Sequence, residues 1–207
     1  MVPQLFGSQK TSPDLGNGSK MLAYVFWHWK LAGVQSREYE SRLHDFHLAL
    51  RHEPPAGFKS SWSAGVSDAP WANGGNDAYE DWYVVTDSAA LDPLNDAAIS
   101  ASRKLPHDHA AQAASGGTAG LYRLRRGEII ASPQSAQWFS KPSDWTYERM
   151  YESLQTTISS GDVALWGRQM TLGPALEFCL QSRRPVDLPA ELKAKAIALR
   201  SVFPESA

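Results

Sequence analysis

Cysteine occurs once, at Cys179, so no intrachain disulfide can form and nothing in the chain asks for an oxidising compartment. No stretch approaches the roughly 20 apolar residues that span a bilayer, and the N-terminus lacks the charged-then-apolar order of a secretory signal. Charge of one sign is scarce as well. The net charge is -2, and dividing the chain after Ala110 leaves about -4 before that point and about +2 after it. Nucleic-acid affinity draws on a basic face, and this excess is too small to supply one. Neither an HExxH motif nor a cysteine cluster is present. The glycine-rich "WANGGND" at 71–77 lacks the strand–glycine–helix setting of a phosphate loop and reads as a flexible turn. These absences predict a cytoplasmic protein with no nucleic-acid or membrane partner, no metal and no cofactor.

Apolar residues, by contrast, are ample: 43% of 207 positions are hydrophobic, enough to bury a sizeable core in one large domain or two small ones. Residues 1–20 are rich in Gly, Ser, Pro and Asn without periodicity and read as a disordered leader. Patterned sequence begins at Met21. "MLAYVFWHWK" is β-branched and aromatic, hence a strand. Tyr39, Leu43, Phe46, His47 and Leu50 then recur at helical steps, with Ser36 as the expected N-cap, and "EPPAG" stops the helix. "FKSSWSAGV" has period two, with Phe58, Trp62 and Val66 on one parity. A strand at "YEDWYVVT" and a helix at "DSAALDPLNDAAISASRK" follow, and residues 111–118 read as a flexible connector.

After the connector the order returns: a strand at "TAGLYRLRR", a helix at "SDWTYERMYESLQTTI", strands at "DVALWGRQMTL" and "ALEFCLQS", and a last helix at "PAELKAKAIALRSVF". A strand, a crossover helix, a hairpin and a second helix make up most of the split β-α-β unit. The expected fold class is therefore α+β, with two tandem ferredoxin-like halves over 21–110 and 119–207. Each half leaves one apolar sheet face uncovered, and each can bury the other's. In this element order and aromatic richness the chain resembles the dimeric α/β-barrel superfamily in its fused, two-repeat form. The resemblance implies antiparallel sheets closed as an intrachain barrel. It also implies a function drawn from a set that includes cofactor-independent monooxygenases, isomerases and haem-binding proteins. None of those families' catalytic signatures is found in these residues.

If the first and third strands of a half are antiparallel neighbours, His28 in "YVFWHWK" lies near Glu80 or Asp81, a carboxylate that orients an acid–base imidazole or merely satisfies a half-buried one. The same geometry in the second half places Arg123 or Arg125 near Glu177, either to anchor an anionic ligand or as a structural ion pair. Gln169 is a further candidate for polarising a ligand. The chain has 8 tryptophans. Trp27, Trp29, Trp62, Trp82 and Trp166, with Tyr83, fall on expected strands and are the candidate walls of an inter-sheet cavity for a small, flat, mostly apolar molecule, or else plain core. Trp71 and Trp138 fall in expected loops, as a lid, a subunit contact or a cover for the core edge. His47, on an apolar stripe, reads as a core residue; it or His107 would be the formal axial ligand if a haem were bound. Cys179 reads as a buried, inert thiol. The expected partners are a small-molecule ligand and, compatibly, a second copy of the chain. The competing class is an interaction protein whose barrel is filled by its own side chains.

Overall fold

The computed structural model describes residues 20–203, apart from 74 and 131 and the side chain of Asn76. All but Lys20 of the expected leader lies outside the described residues. The elements run β1 (Leu22–Lys30), α1 (Ser36–His52), β2 (Phe58–Val66), β3 (Ala78–Val85), α2 (Leu91–Ala98), α3 (Lys104–Ala113), β4 (Ala114–Gly127), β5 (Ser135–Phe139), α4 (Tyr147–Ser153), α5 (Gln155–Ser159), β6 (Val163–Arg168), β7 (Phe178–Ser182) and β8 (Lys195–Phe203). The eight strands close into one antiparallel barrel in the order β1-β3-β2-β8-β5-β7-β6-β4. Closure leaves no strand edge unpaired around the ring.

Strand alternation decides what lies inside. Ala23, Val25 and Trp27 of β1 join Trp62, Trp82, Tyr122, Trp138, Trp166 and Cys179 in a core to which every strand contributes. The intervening Tyr24, Phe26 and His28 face the helices. Eight strands enclose a space just wide enough for side chains to fill, and here tryptophans fill it. Trp62 and Trp82 stack at 5.4 Å, Trp82 meets Trp166 at 5.4 Å, and Trp27 meets Trp138 edge-on at 5.5 Å. The cavity expected between the sheets is therefore occupied by the protein's own indoles.

Other expectations also require correction. Residues 111–118 are not a connector but the end of α3 and the start of β4. Their glycines serve close packing: a Cβ at Gly117 would sit 2.4 Å from the Phe26 ring. The expected final helix is broken into a single turn at Ala190–Leu192 and the strand β8. Ala, Lys and Leu favour helix locally, but β2 and β5 both offer open edges whose backbone groups must be paired, and that requirement overrides propensity. β5 went unread because five residues are too few for periodicity. In β2, Phe58 and Ser60 oppose the consecutive residues Val85 and Val84, a bulge that reverses parity, so Phe58 faces the helices while Trp62 and Val66 face the barrel. The helix α1 is preceded by Gln35 without a side-chain cap, rather than capped by Ser36.

Candidate functional site

The helix-facing side of β1 and β3 is only partly filled. Between it and α1, α2 and α3 lies a cavity of about 580 Å³, within the range of small-molecule sites. Its walls are Phe26, Leu43, Phe46, Leu50, Leu94 and Ala110 among others; Tyr24, His28, Asp81 and Tyr83 gather on the sheet floor, and Tyr39, Asp92, Asn95 and His107 reach the space from the helices.

That gathering follows from register. His28 of β1 stands opposite Tyr79 of β3, which puts Asp81, two residues further on the same face, diagonally beside the imidazole. His28 Nε2 is 3.2 Å from Asp81 Oδ2, and its Nδ1 is 2.6 Å from the Tyr39 hydroxyl on α1. Tyr83 donates to the same Asp81 oxygen at 2.9 Å. About two turns further along α1, a second imidazole reaches this carboxylate: His47 Nε2 lies 3.4 Å from Oδ2, while His47 Nδ1 is 2.8 Å from the hydroxyl of Ser61 on β2. His28, His47 and Asp81 are each at most 2% exposed. Burial pushes the Asp81 carboxyl up, but the two imidazoles outweigh it and hold the group below the ordinary carboxylate range. Burial and the nearby Asp81 charge push the Tyr39 phenol up, keeping it protonated. Hydroxyl, imidazole and carboxylate thus stand in succession beside the cavity, an arrangement able to take a proton from a ligand and to stabilise the resulting imidazolium.

Of the residues singled out in the sequence, His28, Asp81 and Tyr83 meet at this cavity. Glu80 does not. It points the other way, into the barrel, where Trp27 and Trp82 donate their indole N–H groups to its two oxygens at 3.1 and 3.0 Å. There burial raises its carboxyl to about 7 against the opposing effect of those two donors. Trp27, Trp62, Trp82 and Trp166 line the barrel and not the cavity, and Trp29 lies against Gly116. Trp138 is on β5 inside the barrel, and Trp71 packs edge-on against it and Trp27.

The second-half pairing is also different from expectation. Strand β4 pairs with β1 and β6, not with β7. Arg123 consequently donates to Gln169 at 3.1 Å, away from the cavity, and Arg125 lies against Gly167. Glu177 accepts instead from Tyr147 and from the backbone of Lys141. Cys179 is fully buried, and burial pushes its thiol well up.

Sequence reasoning missed Tyr39, His47 and Ser61 as partners in this cluster. The signal was present as a phenol and an imidazole on an otherwise apolar helical stripe, whose polar atoms must be satisfied by something. What they meet depends on a register between distant elements.

No protein-family model and no curated protein sequence matches the chain. Solved structures do. A candidate monooxygenase of Fusobacterium nucleatum subsp. nucleatum superposes with a TM-score of 0.60 at 12% identity, over 91% of this chain and 95% of that one. A candidate monooxygenase of Lactobacillus acidophilus NCFM gives 0.51 at 9% identity, over 89% and 95%. A candidate chlorite dismutase gives 0.51 at 12% identity, over 87% and 94%. These are proteins of the dimeric α/β-barrel superfamily, and the likeness is one of fold. The haem reading finds no support in the residues. His47 has one ring nitrogen on Ser61 and the other against Asp81. His107 lines the cavity, but no lysine or arginine stands among the lining residues to meet propionates.

Proposed function

We propose that the chain is an enzyme that takes a small, flat, mostly apolar organic molecule into the cavity between sheet and helices and removes a proton from it without a cofactor. The observation that carries this reading is the line from Tyr39 through His28 to Asp81, buried and opening on an apolar space. A ligand with an acidic C–H or O–H gives its proton to the Tyr39 oxygen as the phenolic proton passes to His28 Nδ1. The electron pair stays on the ligand as a resonance-stabilised anion. Return of the proton at another atom is an isomerisation. Attack of the anion on dioxygen is a monooxygenation in which an activated CH2 becomes C=O and the second oxygen leaves as water. His28 is the base, Asp81 orients it, and Tyr83 holds Asp81.

The supporting frame is a chain of two ferredoxin-like halves. The strand orders β4-β1-β3-β2 and β8-β5-β7-β6 are the same permutation within each half. We place the first half at 21–127, with β4 as its fourth strand, and the second from 135 onward, in a cytoplasmic protein able to form homodimers.

The test is to titrate the protein with a panel of phenols, aromatic acids and quinones while following the His28 and Tyr39 resonances by NMR. Saturable shifts with one class, at least about tenfold weaker in His28→Ala, are expected. The near-ultraviolet circular dichroism of the barrel tryptophans, on the opposite face, reports that the variant keeps its fold. Silence across the panel would overturn the reading in favour of an interaction protein, which the side-chain-filled barrel also fits.

A further inference from the structure

We infer that His47 is a positioning residue: it carries the cationic charge that the buried Asp81 carboxylate demands, leaving His28 neutral and free to accept a proton. This rests on the proton-transfer reading and deepens it.

A carboxylate at 2% exposure needs a neighbouring cation or it is costly to ionise. Two groups near Asp81 can provide one, His28 of β1 and His47 of α1. The other titratable groups that stand around the cluster are neutral phenols: Tyr24 of β1, Tyr83 of β3, Tyr39 of α1, and Tyr79 of β3 stacked on His28. The remaining titratable groups stand further back. Asp92 of α2 and His107 of α3 line the cavity, with His107 behind the Phe46 ring. Arg51 and His44 of α1 lie against the Phe203 ring of β8, on which His47 stacks. Were His28 the sole imidazole, the carboxylate would hold it as an imidazolium, and an imidazolium accepts no proton.

The hydroxyl on each Nδ1 separates the roles. A phenol is a strong donor and a weak acceptor, so Tyr39 at 2.6 Å donates to His28 Nδ1, which must then carry a lone pair. His28 is accordingly protonated at Nε2 alone and neutral. An aliphatic hydroxyl is the better acceptor, so His47 Nδ1 donates to Ser61 at 2.8 Å. With its Nε2 3.4 Å from Asp81 Oδ2, within ion-pair distance of the carboxylate, His47 is the imidazolium. Position agrees with this division. His28 and Tyr39 line the cavity, whereas His47 is fully buried behind the carboxylate.

The experiment is long-range 1H–15N NMR of the imidazoles in the ligand-free full chain at about pH 7.5, with signals assigned through Tyr39→Phe, which perturbs His28, and Ser61→Ala, which perturbs His47. A neutral His28 and a cationic His47 are expected, and His28 becomes cationic at the same pH in His47→Gln. In that variant the rate of ligand proton exchange drops at neutral pH and recovers at alkaline pH, while ligand affinity at alkaline pH is unchanged. A bystander histidine would not move that profile. A cationic His28 in the wild type, or a His28 whose protonation ignores His47→Gln, overturns the inference. If His47→Gln fails to fold, the wild-type spectrum decides on its own. Protonation is read without ligand, so a silent ligand panel with a neutral His28 sinks the proposed function alone, whereas saturable binding to a protein with a cationic His28 sinks this inference and the role of His28 as base but leaves the cavity as the binding site.

Discussion

The barrel presents two outer faces with the same strand arrangement, and their described residues are packed differently. Over β5, β6 and β7, Phe139, Leu165, Phe178 and Leu180 cluster with Met150, Leu154 and Leu192. Over β1 and β3, the 17-residue α1 and the 10-residue α3 enclose about 580 Å³. The registers allow a position-by-position reading. Trp27 pairs with Glu80 and Trp138 with Cys179, all four facing the barrel. Aligned on the two tryptophans, His28 corresponds to Phe139, Tyr79 to Phe178 and Asp81 to Leu180. Where one face places an imidazole and a carboxylate, the other places a phenyl ring and an isobutyl group. The shared architecture accounts for the packing of both faces; a few polar residues on one of them carry the groups on which the proposed proton transfer rests.

That contrast can be broken from either side. Leu180→Asp puts a carboxylate on the face that has no imidazole opposite, so urea denaturation should show a loss of more than about 4 kcal/mol or no folded protein. Asp81→Asn, nearly isosteric, removes the charge that stabilises an imidazolium on His28. Deuterium exchange of a bound ligand should slow by roughly 10³-fold while the fold persists.

The neighbours Glu80 and Asp81 offer a finer contrast, since consecutive strand residues face opposite sides and burial leaves them with opposite titration. The carboxyl of Glu80 is raised from 4.5 to about 7, so its contribution to stability is full below about pH 4.5 and is lost as pH rises through 7. Asp81 is depressed, so its contribution is present above its ordinary 3.8 and is lost only as pH falls below that value. Thermal melts between pH 5 and 8 should show Glu80→Gln gaining on the wild type with rising pH, by on the order of 3 kcal/mol. The smallest effect is expected from making the first face resemble the second. Ala110→Leu, at a buried wall position, should weaken ligand binding about tenfold in calorimetry without lowering the melting temperature.

Much of this was legible in the chain. The alternation in 22–30 and the helical stripe from Tyr39 to Leu50 identify β1 and α1, and the proximity of β1 to β3 brings His28 to an acidic pair. The choice between Glu80 and Asp81 was not legible, because period two says that they face apart but not which of them faces the helices. Tryptophan richness likewise could not say whether the indoles line a space or fill it; the diameter of an eight-stranded ring does. The strand β8 was hidden because its composition favours helix, and only the unpaired edges of β2 and β5, invisible locally, make it extended. His47 was legible as buried but not as a partner of Asp81, since that contact needs α1 docked over β3.

The placement of β8 has a consequence for how the molecule is made. One end of this strand is hydrogen-bonded to β5 and the other to β2, so it is the stave that closes the ring between them. Until residue 203 has left the ribosome the ring stays gapped, with two sticky margins exposed and the indoles open to water. Closure is then a late, long-range event that pairs Ser63 with Phe203, and a nascent chain stalled before it would be prone to associate through the gap.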